Sequence, residues 1–340
     1  MISMMRLPPR PMIRPDTTAI SLRMIAHHSG GTYLCGMSLA AKISDRSTRA
    51  ALERIIDKLA QAGIDEVAAK GQRASLHNLR KRTKELRGLL RLMRPGLHKA
   101  KTHDRALRDA ARALSRARDF EVMLSRFDAA VAPLPEPERF DGLRQQIVAA
   151  RGTIDDDYIA PAIADYAATL TSCQAELARL RLSDKASKLL WSGIDTTYRM
   201  ARKQKAIAAK SLARDFDATP FHEWRKSVKR HWYQARFLEQ TRPKKMQAHI
   251  KAVDDLGELL GDHNDLDVMM AFLDARTGLS PEDCAARDIF RQHVLVQRQE
   301  LAQAALALAD KTLAKPPKAL VKKWRGWWQD WCKGRKGRKG

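Results

Sequence analysis

Cysteine is scarce and unpaired in this chain: Cys35, Cys173, Cys284 and Cys332 are scattered without a single CxxC. That excludes a zinc framework and a disulfide ladder, and it points to a reducing, cytoplasmic setting. Long apolar runs are missing too. The one candidate, near the N-terminus, is broken by Arg23, His27 and His28, well short of the roughly 18 apolar residues a spanning helix needs. No convincing alternation of apolar and polar residues marks a strand. Acids are the other deficit: 39 Asp plus Glu stand against 63 Lys plus Arg, a formal charge of +24. A charge that large bears on partners and solubility, not on fold. With 44% apolar residues the chain still buries a core, so disorder of its bulk is excluded.

What is present is helical periodicity. Apolar residues recur three and four apart from Ser44 onward, as in Leu52, Ile55, Ile56, Leu59 and again in Leu86, Leu89, Leu90, Met93. Breakers separate these runs at Gly63, Pro95-Gly96, the Pro133/Pro135/Pro137 cluster, Pro161, Pro220, Pro243, Gly278 to Pro281, and Pro316-Pro317. The pattern predicts roughly ten bundle-length helices, an all-α fold. Residues 1 to 36 carry Arg6, Arg10, Arg14 and Arg23 with Asp16 as the only acid. We read them as a start placed too early, with Met37 as the natural first residue, or as a targeting peptide, and exclude them from the fold.

An internal repeat carries more information. Laid over itself at a shift of 145 residues, the chain shows His-x-x-Arg-Lys-x-x-Lys twice. The first copy is His77, Arg80, Lys81 and Lys84, followed by Arg91; the second is His222, Arg225, Lys226 and Lys229, followed by Arg236. Arg94-Pro95 and Arg242-Pro243 close the two helices. One residue of slippage later, Arg118-Asp119 lies over Asn264-Asp265. The same order of elements in both halves predicts two related helical bundles.

At about 100° per residue these cations and the His share a sector roughly 100° wide on each helix. Leu79, Leu86, Leu90 and Met93 hold the opposite face of the first copy. Between Arg73 and Arg108 twelve Lys or Arg face only Glu85 and Asp104, too few acids to neutralise the stripe by i,i+4 pairing. Most charged helix faces are merely solvated. A solvated face, however, does not call for the same residue types at the same offsets twice over. Arg offers a planar fork for phosphate oxygens, Lys a mobile point charge, and an imidazole can donate one further hydrogen bond.

The remaining features are less specific. A third basic run holds Arg199, Arg202, Lys203, Lys205, Lys210 and Arg214 without an acid, and could add Arg199, Arg202, Lys203 and Lys210 to the same surface. Arg118-Asp119 and Asn264-Asp265 are placed at helix starts or turns, where they would cap backbone or orient an Arg. Asp262, His263, Asp265 and Asp267 are metal-ligand residue types, but one His in a local run is weak support for a metal site. The C-terminal segment, Lys322, Lys323, Trp324, Arg325, Trp327, Trp328 and Trp331 leading to Gly340, is expected to pack its indoles on the bundle and leave a floppy basic tail.

The paired His-x-x-Arg-Lys-x-x-Lys helices and the paired Arg-Asp and Asn-Asp elements resemble the CHAD family, the conserved histidine alpha-helical domain, over about residues 45 to 312. The resemblance implies two four-helix bundles related by a pseudo-two-fold, about 45–180 and 183–312, with a basic groove between them that binds inorganic polyphosphate. Residues 1–44 would then be an extension and 313–340 a Trp/Lys/Arg-rich tail. Carried over by position, the ligand set is His77, Arg80, Lys81, Lys84, Arg87, Arg91, His222, Arg225, Lys226, Lys229 and Arg236, while Trp232 stands where the first copy has Arg87. No Glu-x-Glu-x-Lys strand of the triphosphate-tunnel enzymes often fused to this family is present.

The expectation is therefore a non-catalytic, cofactor-free polyphosphate-binding protein of bacterial type, on cytoplasmic phosphate granules or other storage inclusions. Nucleic acid is the first alternative, with weak RNA binding conceivable on charge alone. The stripes offer few aromatics for stacking beyond Trp224 and Trp232. A metal-dependent phosphohydrolase using His77, His103-Asp104 and a later Asp is the second.

Overall fold

The protein is described by a computed structural model covering residues 39–69, 72–93, 100–152, 156–179, 186–214 and 216–336. Residues 1–38, with the early start and Met37, lie outside the described residues, and so do the side chains of His77 and Arg118. The described residues form ten α-helices and two 3₁₀ turns with no strand, the all-α class the periodicity predicts.

The helices are α1 (Thr48–Ala69), α2 (Gln72–Met93), α3 (Ala100–Val131), α4 (Asp141–Gly152), α5 (Asp156–Arg179), α6 (Ala186–Leu212), α7 (Thr219–Phe237), α8 (Pro243–Asp274), α9 (Pro281–Thr312) and α10 (Pro317–Lys336). Several prolines act as starts, as the chemistry of a first turn allows. Pro243 and Pro281 open α8 and α9, and Ser280 caps α9 by accepting from the Asp283 N–H at 3.0 Å. Gly63, expected as a breaker, lies inside α1, and Pro161 likewise differs from that role, because it lies inside α5. It sits early enough there to lose only one near-terminal hydrogen bond.

Packing follows the chain. Helices α1, α2, α3 and α5 contact one another, α6 to α9 contact one another, and α2–α7, α2–α6 and α3–α8 contacts join the two sets. One apolar cluster runs across the seam, with Phe127 of α3, Leu143 and Ile147 of α4, Met269 and Leu273 of α8, and Phe290 of α9 all buried. Cys173 is buried, and Cys284 and Cys332 are partly exposed.

Two boundaries move. The extension drawn to residue 44 is too long, because Leu39, Ala40 and Ala41 are buried and the Ala41 N–H donates to the Phe237 carbonyl at 3.0 Å. Arg54 pins the same segment with a two-pronged contact to Asp45 at 2.7 Å. The segment from 313, drawn as a tail that packs its indoles and then trails off, holds helix α10, which docks on α6 with Leu320, Trp324 and Trp328 buried. An apolar stripe at positions 320, 324 and 328 has helical spacing, and burying two indoles outweighs the repulsion of the lysines beside them.

Candidate functional site

The two motif helices meet face to face. Tyr233 of α7 packs over Gly88 of α2, where an added Cβ would come within 2.9 Å of the ring. Three residues away in opposite directions, Arg236 Nη1 of α7 donates to Glu85 Oε1 of α2 at 3.0 Å, and Glu85 is only 1% exposed. Facing of 88 with 233 and of 85 with 236 defines an antiparallel crossing. By that register residue 91 faces residue 230.

Each motif helix is tied to the helix that follows it. On α2, Arg80 Nη1 donates to Asp119 Oδ1 at 2.9 Å, Arg87 Nε donates to Asp104 Oδ1 at 2.7 Å, and Arg91 Nη2 donates to Asp104 Oδ2 at 3.0 Å. On α7, Lys229 Nζ reaches Asp254 at 3.0 Å and Glu258 at 2.7 Å, while His222 Nδ1 hydrogen-bonds Asn264 Oδ1. Lys226 pairs locally with Glu223 at 2.6 Å, and that contact, aided by the neighbouring charges of His222 and Arg230 against slight burial, lowers the Glu223 carboxyl. Lys81 and Lys84 are exposed.

The acids of α3 and α8 correct the expectation that the stripe is barely neutralised. Counting along one helix finds i,i+4 partners only, whereas Asp104, Asp119, Asp254 and Glu258 arrive from the next helix. The Arg-Asp and Asn-Asp elements are corrected likewise. They lie inside α3 and α8 and not at helix starts, and there Asp119 holds Arg80 and Asn264 holds His222. Asp265 lies 3.9 Å from Arg126 of α3.

Around Arg87 and Arg91 the balance remains positive. Burial works to raise the Asp104 carboxyl, but the hydrogen bonds and charges of Arg87 and Arg91 hold it below its usual value. Arg230 of α7 adds a third cation. Burial and the charge of Arg91, with Arg87 also contributing, lower its pKa, and its Nε is buried without a hydrogen-bond partner. The motif does not reveal Arg230, because the matching position in the first copy is Glu85.

In the second copy Trp232 replaces Arg87 and lies between two cations, with Lys229 Nζ 5.3 Å and Arg236 Cζ 4.7 Å from its ring. Glycines let those stems approach. A Cβ at Gly257 of α8 would stand 2.8 Å from Lys229 Cε, and one at Gly261 would stand 3.4 Å from Arg225 Nε. The Arg225 Nε is itself buried and lacks a hydrogen-bond partner.

The third basic run has other duties. Arg202 Nη1 donates to the carbonyls of Leu313 at 2.7 Å and Ala314 at 2.9 Å, closing the C-terminus of α9. Arg199 pairs with Asp195 at 2.7 Å and lines an open groove between α6 and α10 with Lys318, Lys322 and Arg325. Lys203 and Lys210 are exposed on α6.

Residues considered for metal chemistry point apart. His263 stacks on Phe221 at 4.6 Å, and burial drives its pKa down to about 3. Asp262 pairs with Arg126 of α3, and burial raises its carboxyl to about 6. Asp267 pairs with Arg298 at 3.0 Å. His103 is buried with its Nδ1 3.7 Å from Cys173 Sγ. Among the described residues no three His, Cys, Asp or Glu side chains cluster as a metal site. No described helix is long and apolar enough to cross a membrane.

Comparison with known proteins adds a family. The CHAD domain model matches residues 50–274, from α1 to the last residue of α8. The crystal structure of the CHAD domain from the plant Ricinus communis superposes with a TM-score of 0.61 at 22% identity, over 82% of this chain and 95% of that one. At that identity the superposition speaks for the fold alone. Comparison with curated proteins returns no match.

Proposed function

This chain belongs to the CHAD domain family, and from that premise we propose that it binds inorganic polyphosphate without turning it over, through the cations of α2 and α7. The observation that carries this reading is the antiparallel crossing at Gly88 and Tyr233. It supports a reading in which cations of two separate motif helices lie in a row on either side of the crossing, as a ligand with many phosphates in a row requires.

Arg80, Arg87, Arg91, Arg225, Lys229 and Arg236 are the partly buried members of that face, and Lys81, Lys84 and Lys226 its exposed ones. The pairing acids keep the partly buried guanidinium groups extended and ordered before a ligand arrives, which lowers the entropy of ordering them on binding. In this reading Arg202 belongs to the scaffold. A phosphate-chain ligand also fits attachment to phosphate granules.

The test is a titration of the full chain with long-chain polyphosphate beside single-stranded RNA of matched charge at physiological salt. Clear preference for polyphosphate with a steep loss of affinity as salt rises is the expected result, since each phosphate contact releases counterions. Equal or stronger RNA binding, or a flat salt dependence, overturns the reading. Release of orthophosphate by purified protein with added manganese or magnesium would overturn its non-catalytic part.

A further inference from the structure

The crossing is electrostatically lopsided. A shift of 145 residues carries Glu85 onto Arg230 and Arg91 onto Arg236. The buried ion pair of Arg236 with Glu85 therefore has as its counterpart the facing of Arg230 and Arg91, two cations. Arg87 stands one turn from Arg91 on the same helix and makes a third.

Like charges this close destabilise one another unless an anion lies among them. Asp104 of α3 is that anion. Its two oxygens take the Nε of Arg87 at 2.7 Å, and the Nε and Nη2 of Arg91 at 3.1 and 3.0 Å. Glu223 also acts on Arg230 but is itself paired with Lys226, so one carboxylate against three guanidinium groups leaves the cluster positive. Arg230 shows the shortfall most directly, because its Nε is buried and has no hydrogen-bond partner.

We propose that Arg87, Arg91 and Arg230 form a cradle for a single phosphate group, and that Asp104 is its resident counter-anion, which a phosphate displaces or joins. This deepens the polyphosphate reading and rests on it for the natural ligand. A carboxylate and a phosphate present the same pair of oxygens to a guanidinium fork, but a phosphate carries further oxygens and more charge. It can therefore reach Arg230 while still holding Arg87 and Arg91. Asp104 keeps the cradle ordered and selects against weakly charged anions that cannot displace it.

The experiment uses pyrophosphate as the probe, titrated calorimetrically into the full chain, its Asp104→Asn and Arg230→Gln variants, and the double variant, with long-chain polyphosphate in parallel. Removing the competing carboxylate should tighten pyrophosphate binding by about tenfold, the worth of one charge-assisted hydrogen bond. Arg230→Gln should weaken binding by a similar factor, and the double variant should lose the gain. If Asp104→Asn folds poorly because three arginines are left unneutralised, pyrophosphate should raise its Tm more than that of the unaltered chain.

An Asp104→Asn variant that binds pyrophosphate no better, or worse, overturns the competition, as does absence of pyrophosphate binding to all four proteins. Unaltered affinity in Arg230→Gln removes Arg230 from the cradle. The two levels separate cleanly: a chain that binds pyrophosphate as described but ignores long polyphosphate sinks the proposed function and leaves the cradle standing.

Discussion

The ring of Tyr233 rests on Gly88, and these two residues occupy matching places in the two motif helices, 145 apart. With the Glu85–Arg236 ion pair beside it, the contact sets the register of the cations on the two helices. It also demands glycine on one side. A methyl group at 88 would press within 2.9 Å of Cδ2 and 3.1 Å of Cβ of a buried tyrosine, and that ring has little room to retreat.

Replacement of Gly88 by alanine should therefore destabilise the fold by about 1–3 kcal/mol, the usual cost of overpacking, even though alanine is the better helix former. Urea unfolding checks this. A more stable G88A protein would mean that α2 and α7 are not held at this distance.

Charge reversal at Lys81 and Lys226 together should weaken polyphosphate binding by at least about tenfold, as lost charge-assisted contacts to a phosphate chain do. Both side chains are exposed, so helix content by circular dichroism should not change. Unchanged affinity would place the ligand elsewhere, with the groove between α6 and α10 as the next surface to examine.

Acid should destabilise the protein below about pH 6.5, and the sign follows from the buried histidines. Burial depresses His263 to about 3 and, with the charge of Lys323, His249 to about 4. Burial and the neighbouring His249 also depress His231 well below its ordinary value. These rings stay neutral in the folded chain while the unfolded chain takes up protons near the usual 6.5, so their contribution is complete above that pH and is lost as pH falls toward their folded values. Asp262, raised to about 6, works in the opposite sense. Its contribution is complete below the ordinary carboxylate value and lost as pH rises through about 6. The histidines outnumber it. Replacement of His263 by Phe, which keeps the stack on Phe221, should flatten the fall of Tm between pH 6.5 and 4; an unchanged profile would mean His263 is not among its sources.

Trp324 fastens α10 to the rest of the molecule. It is 3% exposed, lies parallel to the His231 ring at 5.5 Å and meets His249 edge-on at 5.1 Å, while His231 and His249 hydrogen-bond each other at 2.9 Å. Trp324→Ala should cost about 3–5 kcal/mol and free α10 first. Hydrogen exchange would show α10 amides losing protection ahead of α7, and equal protection loss throughout would contradict this.

Much of this architecture was legible in residue order alone. Periodicity identified the helices, and proline or glycine marked many of their ends, as at α3, α8 and α9, because helical spacing and backbone restrictions are local properties of the chain. Other features were out of reach for the same reason. Arg230 has Glu85 as its counterpart, so comparison of the copies passed over it, and only the antiparallel crossing brings it opposite Arg91. Asp104 looked like one acid too few for twelve cations until α3 folded it between two of them. Arg202 looked like a ligand residue until the end of α9 arrived beneath it. Sequence by itself determined the helices, their amphipathic faces and the sign of the charge they display. Which cations are neutralised, which are left facing one another, and which became scaffold was decided by tertiary structure, because a charge is partnered by its neighbours in space and those come from helices distant in the chain.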